Sequence, residues 1–105
     1  MGFELRLWDE STFDSPGPEV IEQALRRLDE DNCAAILLHH DTGLWLQVLS
    51  GELFDVQTGC YVLEYRVGDF GSRHCDVGSD IQAVIEAFQG YAVGDDAWTH
   101  RLVWS

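Results

Sequence analysis

The chain predicts an α+β fold: a two-layer sandwich in which two helices cover one face of a mainly antiparallel sheet of five to seven strands. Three observations carry that expectation. Two segments repeat apolar residues at helical spacing, several short segments alternate or run apolar at strand length, and most strands are joined by turns too short for parallel crossovers. The 105 residues suit a single domain, since domains cluster at about 100–150 residues. A composition 46% hydrophobic, with four Trp, five Phe and three Tyr, supplies a core.

Phe3, Leu5 and Leu7 alternate with Glu4, Arg6 and Trp8, the period of a half-buried strand. Asp9–Gly17 is rich in Asp, Ser, Thr, Gly and Pro and reads as a loop. Pro18 suits the first position of a helix, with Glu19 well placed in its first turn. Val20, Ile21, Ala24, Leu25 and Leu28 form its apolar face, so the first helix is expected from Pro18 to about Glu30. The apolar run Cys33–His39 reads as a buried strand and joins Leu44–Leu49 in a hairpin through His40-Asp41-Thr42-Gly43. Glu52–Gln57 is expected as a short strand, Cys60–Val67 as a clear one with Tyr61, Leu63, Tyr65 and Val67 on one face, and Ser72–Val77 as its partner. Ser79 opens the second helix with Gln82 at capping-box spacing; Ile81, Val84, Ile85, Phe88 and Tyr91 make its stripe and Gly94 ends it. Trp98, His100, Leu102 and Trp104 alternate in a last strand. The element order is β-α-β-β-β-β-β-α-β, and the two amphipathic helices share one sheet face.

Nineteen acidic residues stand against six basic ones, all six arginine, for a formal net charge of −13. Solubility needs a magnitude of only about 2–8 in a small domain, and the excess repels itself. Its use is the attraction of something positive: a basic protein partner, with bare nucleic acid and anionic membrane both excluded as partners. Self-repulsion also argues for a monomer or weak dimer, although the edge strands, expected at Phe3–Trp8 or Trp98–Trp104, offer a pairing surface. No run approaches the ~18–20 apolar residues of a membrane span. The first residues lack the pattern of a signal peptide, and three scattered cysteines make no disulfide framework, so a cytoplasmic location is expected.

The placement of the acids says more than their number. Asp29, Glu30 and Asp31 fall at the expected C-terminal end of the first helix, where the macrodipole disfavours negative charge. A solvated loop tip explains this blandly; an acidic prong is the functional reading. Asp9, Glu10 and Asp14 precede that helix, and Asp95 and Asp96 follow the second. Asp69 and Phe70 sit at a glycine-framed hairpin tip, where Phe70 either stands exposed as a binding anchor or folds back onto the sheet. Trp45 and Trp98 are the other candidate anchors.

Catalytic and metal patterns are thin. His39 and His40, as consecutive strand residues, point to opposite faces, and no Cys-x-x-Cys or His-x-x-x-His spacing occurs. His74-Cys75-Asp76 holds the ingredients of a thiol nucleophile, but neighbouring strand residues diverge, and a working dyad needs His39, His40 or His100 from elsewhere. Asp69-Phe70-Gly71 spells a kinase triplet without the glycine loop or the lysine that kinase chemistry requires. No metal, cofactor or catalytic residue is expected.

From Tyr61 to Trp104 the chain reads Tyr-Val-Leu-Glu-Tyr-Arg, a glycine hairpin, Ser-Asp-Ile-Gln-Ala-Val-Ile-Glu-Ala-Phe, then Trp-Thr-His-Arg-Leu-Val-Trp. This half, with the order of elements, resembles small α+β immunity proteins of bacterial polymorphic toxin systems, which neutralise toxins delivered by contact-dependent or type VI routes. Glu64, Trp98 and Trp104 match the general pattern. The resemblance implies a cytosolic, non-enzymatic inhibitor that binds one cognate toxin and blocks its active site or assembly. The charge adds that the toxin is basic, as nucleases and other nucleic-acid-acting proteins are. The alternative is a small-ligand-binding or Cys/His-dependent enzyme domain, with a pocket lined by Tyr61, Tyr65 and Trp45.

Overall fold

The computed structural model describes residues 2–29, 31–57, 59–66 and 71–105. Its strands are β1 (Phe3–Leu7), β2 (Thr12–Asp14), β3 (Ala34–His39), β4 (Trp45–Leu49), β5 (Tyr61–Arg66) and β6 (Ser72–Gly78), and its helices α1 (Pro18–Leu25), α2 (Ile81–Val93) and α3 (Ala97–Arg101). The strands form one sheet in the order β2-β1-β3-β4-β5-β6, with every neighbouring pair antiparallel. All the helices contribute to the layer on one side. The expected α+β sandwich is the observed fold.

Alternation sorts the sheet residues into two faces. Leu5, Leu7, Ala35, Leu37, Leu46, Val48 and Leu63 are buried against Ile21, Ala24 and Leu25 of α1, Val84, Ile85, Ala87 and Phe88 of α2, and Trp98 of α3. Tyr61 and Tyr65 pack at the margin of this core, on the same face as Leu63, as the period of β5 requires. The intervening residues of every strand face away from the helices.

Several elements depart from expectation, each for a local reason. The Asp9–Gly17 loop contains β2, which pairs Thr12, Phe13 and Asp14 with Arg6, Leu5 and Glu4. A tight turn makes that hairpin: Ser11 O accepts from Leu7 N at 2.9 Å, and Glu10 takes a positive φ of 73°. β2 and β6, rather than β1 and a C-terminal strand, are therefore the edges. The first helix stops at Leu25 instead of Glu30. Arg27 and Leu28 donate to Ala24 and Leu25 in tight i→i−3 bonds, and the Asp29 carboxylate then takes the amides of Asp31 (2.9 Å) and Asn32 (2.8 Å). An aspartate offering its own acceptor to the following amides favours a turn over another helical one.

The segment expected as a strand at Glu52–Gln57 is a 3₁₀ turn, Glu52–Phe54, entered through Gly51 and left through Asp55, both with positive φ. The second helix is capped one residue later than expected, by Asp80 accepting from Ala83 N at 3.1 Å rather than by Ser79. Gly94 ends it in the left-handed conformation.

The largest correction lies at the C-terminus, where α3 replaces most of the last strand. The Asp95 carboxylate accepts from Ala97 N at 2.8 Å, Thr99 Oγ1 donates to Asp96 O at 2.6 Å, and Trp98 Nε1 donates to Asp95 O at 2.7 Å. These local bonds start a helical turn. Trp98 and Leu102, two apart in the strand pattern's alternating set, are also four apart, so the pattern fits one face of a helix as well. Only the end of the chain pairs with the sheet, through reciprocal bonds between Ser105 and His74.

Gly90 of α2 faces the Trp98 ring, and a Cβ there would stand 2.8 Å from Trp98 Cδ1. In an open helix interior, Gly→Ala stabilises by roughly 0.5–1 kcal/mol. Here overpacking against a ring held by a hydrogen bond costs about 1–3 kcal/mol, so Gly90→Ala is expected to lower the urea midpoint. An unchanged or raised midpoint would mean that Trp98 yields.

Candidate functional site

The face of the sheet opposite the helices is covered by no other element among the described residues. Strand register arranges it in rows. One row runs Thr12, Arg6, Ile36, Gln47, Glu64, His74 across all six strands; a second runs Asp14, Glu4, Leu38, Trp45; a third runs Ala34, Leu49, Val62, Asp76. The middle strands thus lay an apolar band of Ala34, Ile36, Leu38, Trp45, Leu49 and Val62 between charged flanks. These band residues are half-buried by one another on the sheet surface.

The flanks are bonded in place. Arg6 grips Glu4 with two bonds, Nε at 2.7 Å and Nη2 at 3.2 Å, while His40 Nε2 lies 3.1 Å from the same carboxylate. These contacts, the Arg6 hydrogen bonds first, hold the Glu4 carboxyl below its ordinary value. Across the band, the Glu64 carboxylate accepts from Gln47 Nε2 and from Ser72 Oγ.

A carboxyl whose folded pKa is depressed stabilises the fold above its unfolded value and loses that contribution as pH falls through the folded one. Wild type is therefore expected to be more stable than Glu4→Gln at about pH 7, with the difference fading toward about pH 3. Urea midpoints at the two pH values check this; a difference that persists in acid would assign the Glu4 effect to shape instead of charge.

A groove of about 290 Å³ opens in this face, lined by Arg6, Trp8, Ile36, Gln47, Leu49 and Phe54 among others. Trp8 follows β1 and Phe54 follows β4, and the two rings meet edge to face with centroids 5.4 Å apart, over the strand that runs between them. Trp8 remains 50% exposed.

The same end of the sheet gathers three loops. Trp8 N donates to Ala34 O at 2.9 Å and Ser50 N to Cys33 O at 2.8 Å, and Asp9 N donates to Asn32 Oδ1 at 3.2 Å. The β1–β2 turn, the loop before β3 and the segment after β4 are thereby brought together with their acids: Asp9, Glu10, Asp29, Asp31, Glu52 and Asp55, all exposed. Asp9 is held below its ordinary value by hydrogen bonds from Ser11, with Arg27 assisting, and pairs with Arg27 at 2.8 Å. Glu10, Glu52 and Asp55 have no ion-pair partner among the described residues.

The residues singled out from sequence are dispersed. Trp45 lies on the open face. Asp29 shapes its own loop and Asp31 is exposed beside it, both at the acidic end. Asp95, Asp96 and Trp98 belong to the helix layer beyond α2, where the Asp95 carboxylate accepts from Ala97 N just before α3 and Asp96, its N-cap residue, lies 3.7 Å from His100 in an exposed pair. Trp98 is only 7% exposed and serves the core, which corrects its expectation as a surface anchor. Glu30, Asp69 and Phe70 lie outside the described residues. Trp8 and Phe54 went unrecognised as site residues. Trp8 carried a signal, as a large aromatic at the outward position after Glu4 and Arg6; Phe54 was hidden in a segment read as a strand.

The Cys/His candidates stay apart. Cys75 is buried, and burial pushes its thiol up from the ordinary value, which disfavours the thiolate needed for attack. His74 and Asp76 point to the other face. The Thr42 hydroxyl lies 2.9 Å from His39 Nδ1 and the Thr42 amide donates to that nitrogen, while the ring stacks edge to face on Phe3. Among the described residues no three His, Cys, Asp or Glu side chains converge as a metal site, and no helix is long and apolar enough to cross a membrane. No family model, curated protein or solved structure matches this chain.

Proposed function

We propose that the protein is an immunity protein that binds and neutralises a cognate bacterial toxin of basic surface, a nuclease or another nucleic-acid-acting toxin, by covering its active site. The observation that carries this reading is the meeting of exposed carboxylates with an apolar, aromatic-lined face at one end of the sheet. Enzymes that grip nucleic acid display arginine and lysine to phosphates. A carboxylate-rich surface complements such a cleft, and opposite fields raise association to about 10⁸–10⁹ M⁻¹s⁻¹ at low salt. Affinity then comes from a few desolvated anchors, for which Trp8, Trp45 and Phe54 are placed. Acids alone would bind any polycation; anchors add selectivity.

The reading is tested by asking whether the gene upstream encodes a long secreted protein with a basic C-terminal domain, co-expressing that domain with the protein, and measuring association of the two purified chains. Growth rescue together with salt-sensitive binding is the expected result. Absence of binding at low salt to that domain overturns the reading.

A further inference from the structure

We infer that the groove beside Trp8 and Phe54 receives a single aliphatic side chain flanked by lysine or arginine, presented by a loop of the basic partner; this rests on the function proposed above and assigns its anchor point. The floor supplied by Ala34, Ile36 and Leu49 is apolar, and the Trp8–Phe54 pair adds aromatic edges and faces. An aliphatic group entering there leaves water on burial, the main source of affinity in such a site.

The polar lining selects what flanks that group. Arg6 is the cation of the groove, and both of its bonds to Glu4 turn its charge toward a carboxylate already present. Gln47, which also lines the groove, donates its amide nitrogen to the Glu64 carboxylate. Glu10, two residues beyond Trp8, and Glu52 and Asp55, on either side of Phe54, are exposed carboxylates without ion-pair partners among the described residues. The rim residues next to Trp8 and Phe54 therefore carry negative charge, which fits cations flanking the group that enters. An acidic peptide is repelled, and so is a second copy of this chain at a net charge of −13.

The test uses three peptides as probes against the full 105-residue protein: acetyl-Lys-Leu-Lys-amide, its Lys-Gly-Lys counterpart and its Glu-Leu-Glu counterpart. Amide and indole nitrogen–proton NMR spectra are recorded through each titration at low salt. The expected result is a saturable shift of the Trp8 indole with the Lys-Leu-Lys peptide, roughly ten- to a hundredfold weaker binding when leucine becomes glycine, and no saturation with the acidic peptide. The shift is lost in Trp8→Ala and reduced in Phe54→Ala, both variants being checked for a wild-type fold by circular dichroism. Equal binding of the Lys-Gly-Lys peptide, or shifts spread over the acidic loops without the Trp8 indole, overturns the groove assignment. The two proposals fail separately. A Trp8→Ala variant that binds the toxin as tightly as the wild type sinks the groove and leaves the immunity reading standing. Failure of the wild type to bind the toxin sinks the immunity reading, and the peptide titration still decides the groove.

Discussion

Replacing Trp98 by alanine is expected to cost about 3–5 kcal/mol, the range for deleting a buried large aromatic. A domain of this kind has only about 5–15 kcal/mol in total, so the variant should be partly unfolded in mild urea or at modestly raised temperature. The size of the effect follows from position. Trp98 meets Tyr65, Trp104 and Tyr91 edge to face, with centroids 5.1, 5.6 and 5.9 Å away, and its flank closes on Gly90. It therefore joins the sheet through β5, the helix layer through α2 and the C-terminal segment through Trp104. Its loss also leaves Asp95 O without the indole donor. Trp98→Phe keeps ring contacts and drops the hydrogen bond, and is expected to lose much less, about 1–2 kcal/mol. Urea unfolding followed by circular dichroism separates the two. An alanine variant as stable as the phenylalanine one would show that α3 is a peripheral appendage.

How far these features could be read beforehand depends on the range of the forces involved. The two long apolar patterns identified α1 and α2 because burial of one face imposes helical spacing over several turns. Tyr61–Arg66 was legible for the same reason, since sheet burial imposes a period of two, while Ala34–His39 stood out as a short apolar run of strand length. The failures share another origin. At Asp29, Asp80 and Asp95 a carboxylate bonds to amides two or three residues on, and these short bonds moved a helix end, shifted a cap and created a helix. Such a bond is available to almost any aspartate, so sequence pattern alone does not say which ones make it. The groove was less legible still. Trp8 and Phe54 lie 46 residues apart in the chain, and their contact depends on β3 pairing with both β1 and β4. The charge excess was plain from composition, yet the gathering of six of its nineteen acids at one end of the sheet needed three loops to close on one another.

Separating the carboxylates from the aromatic anchors gives the second large effect. In the toxin complex proposed here, Trp8→Ala or Trp45→Ala is expected to weaken binding by about 2 kcal/mol or more, roughly thirtyfold, as hot-spot aromatics do. Most of that change should appear as faster dissociation. Neutralising Glu10, Glu52 and Asp55 together, as Gln, Gln and Asn, should instead slow association by about tenfold at low salt and flatten its salt dependence, with little effect near physiological ionic strength. Stopped-flow measurements across a salt series read both rates. The same triple variant has a further signature in the free protein. At a net charge of −13, removing three carboxylates that have no ion-pair partner among the described residues relieves repulsion, so its stability should hold or rise. Carboxylates kept for the fold would give the reverse, a loss of stability with unchanged association. A variant that gains stability while losing speed of capture would mark these acids as retained for an encounter, at the expense of the fold that carries them.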